Sequence, residues 1–354
     1  MNADKTKFTV LGGINQVLLL LVLIFFILHF AKAFLVPIAV SGLIAMLLVP
    51  VCVKLEKWGI KRALAASITV LLTLLLISTV VYVLINELIN LGTGMAVLGD
   101  RLNTMLDNGH AFISEHFNVS KVKQKEYLQR QVSEWSDSAG KVVSGAFFSI
   151  VYILGNMLIV TVYTILILIY RSRIKNFVLQ LVNKYAGTGE VAHTKFIVDE
   201  ITQISSLYVG GVFLVVFILS IIYFIGLTII GVENALFFAI VAALINVIPY
   251  IGSVAGGIIV VLYTLITRDT LTLPVIVTVF FTVVQQLDSY VLTPNITGGK
   301  VRLGPLFTIM VLLLGGMVWG VAGMILFIPI LGILKVIFDN VDPLKPYGYL
   351  IGDT

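Results

Sequence analysis

ALFFAIVAALINVIPYIGSVAGGIIVVLYTLIT, residues Ala235 to Thr267, is a run of 33 residues without a charge, interrupted by Pro249, Gly252, Gly256 and Gly257. A membrane helix needs about 20 residues to cross a 30 Å hydrocarbon core, so the run is too long for one span and is broken near its middle. Its first arm, Ala235 to Ile248, reaches only about 21 Å at 1.5 Å per residue. A helical hairpin that turns back inside the membrane fits these lengths better than two full crossings. Leu306 to Phe338 has the same character, with Gly315, Gly316, Gly320 and Gly323 around Trp319 and with Pro329 further along.

Outward from these runs, apolar stretches of spanning length lie near Leu11 to Ala31, Phe34 to Val53, Ala63 to Ile85, Gly145 to Tyr170 and Leu207 to Gly231, and a shorter one runs from Leu271 to Leu287. The chain of 354 residues is 59% hydrophobic and 12% charged, against about 25% charged in an ordinary soluble domain, and its mean hydropathy is +1.08. Apolar sequence spread over so many runs excludes a soluble enzyme with one anchor, and intrinsic disorder with it. The expected fold is an all-α polytopic membrane protein with about six transmembrane helices, two broken re-entrant helical hairpins and an extracytoplasmic helical hairpin. Its segments are residues 1–85 with three transmembrane helices, 86–144 with the extracytoplasmic hairpin, 145–206 with the fourth helix and a cytoplasmic linker, and 207–354 as a transport core holding the broken hairpins 235–267 and 306–338.

Charge sets the orientation. Lys5 and Lys7 before the first run and Ala31-Lys32-Ala33 after it imitate a secretory signal, but Pro37 and a second apolar run follow at once, which reads as a retained helix. With the N-terminus in the cytoplasm, fifteen of the 23 Lys and Arg residues lie on that side, and six of the other eight lie in one long loop where the positive-inside rule has least force. Both termini are therefore expected in the cytoplasm. In that loop and its flanks, Leu84, Leu88, Leu91, Met95, Leu98, Leu102 and Met105, then Leu128, Val132, Trp135, Ala139 and Val142, keep a 4,3 spacing that predicts two helices paired outside the membrane.

Several chemistries are missing. The basic residues form no stripe of the kind that binds nucleic acid. His29, His110, His116 and His193 lack metal-binding spacing, and there is no Walker A or G-x-S-x-G sequence, so no metal, no ATP hydrolysis, no cofactor and no enzyme activity is expected. Gly187-Thr188-Gly189-Glu190-Val191-Ala192 matches G-x-G-x-x-A but has no strand before it and reads as a turn. One cysteine, Cys52, rules out an intramolecular disulfide.

What remains is transport. Non-helical backbone persists in a membrane only where protein or a polar cavity satisfies it, and paired Gly/Pro-interrupted segments point to a transporter's binding site. In the first break Pro249 removes a donor, Gly252 permits close approach, and Asn246, Tyr250 and Ser253 supply hydrogen bonds. Gly315, Gly316, Gly320 and Gly323 carry the second break, where exposed backbone at Gly315 and Gly316 could meet a solute; equally, the glycines could only pack helices. Gln285-Gln286-Leu287-Asp288-Ser289-Tyr290 ends an apolar span just before Pro294, and a carboxylate there could exchange protons or hold a cation, or be no more than an interfacial residue. The substrate-binding candidates are thus Asn246, Pro249, Tyr250, Gly252, Ser253, Gln285, Gly315, Gly316, Gly320 and Gly323, with Asp288 for ion or proton coupling.

The motifs Asn246 to Gly252 (NVIPYIG), Val291 to Gly298 (VLTPNITG) and Trp319 to Met324 (WGVAGM) through Pro329, in this order, resemble the autoinducer-2 exporter family of bacterial membrane transporters. Pro37, Pro50, Arg62 and Tyr208-Val209-Gly210 extend the resemblance over nearly the whole chain. It implies a homo-oligomeric permease of the bacterial inner membrane, a pentamer among the forms, working without ATP. It further implies either export of a small polar solute such as the quorum-sensing signal autoinducer-2, or sodium or lithium/proton antiport. Many members carry Glu where this chain has Asp288, and often His before the proline where it has Gly304-Pro305. A third expectation, of another class, is a membrane scaffold that does not transport and binds a partner through its extracytoplasmic hairpin.

Overall fold

The computed structural model describes residues 3–93, 155–184, 190–249, 251–268, 270–297 and 303–353. Among them there is no β-strand, and six helices are long and apolar enough to cross a membrane. The protein is an all-α, multi-pass membrane protein. Helices α1 (Ala3–Phe30), α2 (Lys32–Lys57), α3 (Arg62–Thr93), α4 (Gly155–Lys184) and α5 (Glu190–Ile230) precede the first broken run, α6 (Ala235–Ile245) and α7 (Ile251–Thr267). Then come α8 (Thr272–Leu287), a π-helical turn (Asp288–Leu292) and α9 (Thr293–Ile296). The second broken run forms α10 (Pro305–Trp319) and α11 (Val321–Asn340), and α12 (Lys345–Ile351) closes the chain. Leu84, Leu88 and Leu91 belong to α3, whereas the rest of the expected extracytoplasmic hairpin, like Gly187 to Gly189 of the G-x-G-x-x-A match, lies outside the described residues.

The helices fold as two compact units. One comprises the described parts of Met1–Val70, Ile159–Gly210 and Gly299–Thr354, and the other those of Leu71–Leu158 and Gly211–Gly298.

In the first unit, packing rests on small residues, because lipid tails are as apolar as leucine and give helices no hydrophobic reason to associate. Ala45, Leu48 and Cys52 of α2 bury against Ala66 and Val70 of α3 and Leu168 of α4. Buried Ser41 bonds the carbonyls of Pro37 (2.6 Å) and Val160 (3.1 Å), tying α2 to α4. Helices α10 and α11 are joined by the single residue Gly320, whose φ of 64° and ψ of −143° belong to a region open essentially to glycine alone. Gly315 and Gly323 face each other so closely that a Cβ on either would run into the other's carbonyl. The exposed backbone expected at Gly315 and Gly316 is not what the fold makes of them: Gly315 is buried, and the Gly316 carbonyl accepts the Gly320 N–H at 2.9 Å. Trp319 at this tip donates its indole N–H to the Leu28 carbonyl in the last turn of α1 (2.8 Å).

The second unit is built on α5. Val215, Leu219, Tyr223 and Leu227 repeat every fourth residue and bury against Phe238, Ala239, Ala242 and Ala243 of α6, Val260 of α7, and Val277, Phe281 and Val284 of α8. Gly256 rests on Ala242, where a Cβ would lie 3.0 Å from the Ala242 backbone, and Gly257 faces the Phe281 ring. The two ends of this hairpin are tied together by Arg268, which donates to the Gly231 carbonyl at 3.3 Å and to Glu233 at 3.2 Å. Pro294, expected to break the chain after Leu287, does not. The helical path continues to Ile296, making a span of 25 residues. A proline in a helix clashes with the carbonyl four residues back, and here the wider π turn accommodates it, with the Thr293 N–H bonding the Asp288 carbonyl.

Candidate functional site

Helix α6 has 11 residues, about 16 Å of helix, so its C-terminal end falls well inside a hydrocarbon core of about 30 Å. The chain then makes a short turn and resumes as α7. Asn246 caps the end of α6 with its N–H on the Ala242 carbonyl, which leaves its side-chain amide free to reach outward. Gly252 allows this geometry: a Cβ there would strike the Ile245 carbonyl and come within 2.6 Å of the Asn246 Cα. Pro249 and Ser253 are half-buried at the break and in the first turn of α7. Tyr250 lies outside the described residues.

The Asn246 amide meets Asp288. Its Nδ2 donates to Oδ2 of the carboxylate at 2.9 Å, and the Thr293 hydroxyl donates to Oδ1 at 2.8 Å. Asp288 is 8% exposed and lies at the start of the π turn, inside the helical span rather than at its end. Single π turns inside α-helices recur at functional sites because they rotate side chains out of the regular pattern. Here the extra residue brings Thr293, five positions on, back over its own carboxylate. Gln285, half-buried one turn earlier, lies on the same helix face as Asp288.

The electrostatics are unusual for a membrane interior. A buried carboxylate is costly there and is normally paired with a cation, yet the two recorded partners of Asp288 are a neutral amide and a neutral hydroxyl. Both groups can donate to a carboxylate and accept from a carboxylic acid, the amide by turning over and the hydroxyl by rotating. Each oxygen also keeps acceptor capacity for a bound cation. Thr293 escaped the sequence reading, since in a regular helix residues five apart do not face each other.

Of the remaining candidates, Gly315, Gly316, Gly320 and Gly323 belong to the other unit, where they form the turn and the close face of the α10–α11 hairpin. The α6–α7 break thus brings Asn246 to Asp288 on a helix more than 40 residues away, an arrangement of broken helix and buried carboxylate that suits a solute or ion path.

The family model for the AI-2E family transporter matches residues 18–342. The chain belongs to this family. Among AI-2E relatives, YrrI of Bacillus subtilis is 26% identical over 86% of each chain, and YhhT of Escherichia coli K12 is 23% identical over 99% of this chain and 95% of its own. A Borreliella burgdorferi protein is 32% identical over 46% of this chain, a match that spans 45% of that protein's length. All three carry names of the form "Putative transport protein". The AI-2E assignment and the multi-pass helical fold together make this chain a membrane transporter, with Asn246 and Thr293 in two of the motifs that carried the resemblance and Asp288 just before the second of them.

Proposed function

We propose that this AI-2E transporter is a secondary transporter whose coupling group is Asp288, exchanging a proton or monovalent cation there to drive export of a small polar solute such as autoinducer-2. The observation that carries the reading is the buried carboxylate held, among the described residues, by Asn246 and Thr293. A carboxylate locked to Arg or Lys would stay charged through a transport cycle. One held by an amide and a hydroxyl keeps hydrogen-bond partners in either state, because the amide can turn over and the hydroxyl can rotate. The amide and hydroxyl groups of Asn246, Ser253 and Gln285 suit a neutral polyol, which needs hydrogen bonds rather than counter-charges.

The same observation supports a second reading, in which sodium or lithium itself is the cargo and is exchanged for protons at Asp288. Purified protein in proteoliposomes with an internal pH dye separates the two. Under cation/proton antiport, sodium or lithium added outside moves protons in the wild type and Asp288→Asn abolishes the signal. Under solute export, protons move only when the solute is present, and Asp288→Asn uncouples the two fluxes. An Asp288→Asn variant that keeps full coupled flux sinks both readings.

A further inference from the structure

At one end of the first unit, α2 turns into α3 through residues 58–61, and the nine residues from Lys54 to Arg62 hold four cations and one carboxylate. The carboxylate is spoken for: Glu56 pairs with Arg171 of α4 at 2.6 Å. Arg62 is drawn inward as well, donating to the Leu168 carbonyl at 3.3 Å and to the Ser172 hydroxyl at 2.9 Å. That leaves Lys54, Lys57 and Lys61, all exposed and, among the described residues, unpaired with any carboxylate.

Two aromatic rings mark the level of this cluster. Trp58 is 69% exposed with the Lys54 ammonium 5.8 Å from its ring centre, and Tyr170, 44% exposed, carries Arg173 in the same way at 5.3 Å. Exposed Trp and Tyr rings with cations beside them settle at the boundary between hydrocarbon and headgroups, the ring facing the acyl chains and the charge facing the phosphates. The hydrogen bonds of Arg62 and Arg171 fix α2, α3 and α4 at that level, so the three lysines project from a rigid turn.

We propose that this turn is a binding site for the phosphate of anionic phospholipid headgroups, with Lys54, Lys57 and Lys61 supplying the charge and Trp58 the interfacial anchor. Each basic residue near an anionic surface strengthens binding about fivefold, so three acting together give a preference on the order of 100-fold.

The test is native mass spectrometry of the purified full chain titrated with phosphatidylglycerol or phosphatidylcholine. Wild type is expected to retain phosphatidylglycerol preferentially, in a salt-sensitive way. Lys54→Gln/Lys57→Gln/Lys61→Gln, with an unchanged unfolding temperature to show that it folds, should lose that preference by tenfold or more. Lys345→Gln, a cation elsewhere on the same unit, should keep it. A wild type that takes up both lipids equally overturns the proposal, as does a triple variant that still discriminates. So does a Lys345→Gln variant that loses as much as the triple, since net charge and not this turn would then be at work.

Discussion

Among the described residues, Asp288 has one hydrogen bond to each carboxylate oxygen, and the value of those bonds can be measured by removing them singly. Hydrogen bonds to charged groups contribute about 1.5–3 kcal/mol, so Asn246→Ala and Thr293→Val should each slow coupled transport by roughly tenfold to 100-fold. Thr293→Ser keeps the hydroxyl and should retain most of the rate; initial rates in proteoliposomes at matched protein content decide it. A Thr293→Val rate equal to wild type would show that the hydroxyl does not serve the carboxylate in turnover. At this scale the sequence was informative about residue types and poor about distance. Asn246 and Asp288 could be singled out because polar side chains in apolar runs are rare, but their contact across 42 positions depends on how the α6–α7 hairpin packs. Thr293 could not be singled out at all, since only a π turn puts it over Asp288.

The two hairpins share a plan but differ in how each turn is made. The first uses several residues between α6 and α7, with Asn246 turned toward Asp288. The second uses Gly320 alone, and its arms touch backbone to backbone at Gly315 and Gly323. Gly323→Ala should therefore force α10 and α11 apart and cost about 1–3 kcal/mol, read as a lowered thermal unfolding midpoint in detergent. Gly42→Ala is the contrast, because nothing lies within 4 Å of the Cβ it would add on α2. It should leave the midpoint unchanged or raise it, alanine being the better helix former. An undiminished midpoint in Gly323→Ala would mean that the hairpin tolerates separation. The existence of both breaks was legible from glycine and proline spacing. Their lengths were not: α11 has 20 residues, enough for about 30 Å, and Pro294 looked like a stop because the sequence cannot show that a wider turn absorbs it.

For the molecule as a whole, the side on which the chain ends follows from parity. Helices α2 to α5 and the α8–α9 span are five of the six helices long and apolar enough to cross, the sixth being α11 of the second broken run. With the apolar end of α1, those five make six crossings if each broken run returns to the side it leaves. The structure ties the ends of both runs. Arg268 after α7 bonds Gly231 and Glu233 before α6. Beyond α11, the Ile351 carbonyl accepts the Gly304 N–H at 2.9 Å, and Leu303 bridges to Gly352, so the tail returns beside the start of α10. Each hairpin therefore adds an even number of crossings whatever depth its tip reaches, and the short reach of α10, about 22 Å over 15 residues, does not disturb the count. Together with the excess of Lys and Arg in the loops on the N-terminal side, this predicts that both termini face the cytoplasm. A green fluorescent protein fused at the C-terminus should fluoresce and alkaline phosphatase at the same place should be inactive, whereas phosphatase joined after Arg268, at the opposite face, should be active. An active C-terminal phosphatase would mean an odd number of crossings, and would require one hairpin to leave the membrane on the far side despite the contacts that hold its ends together.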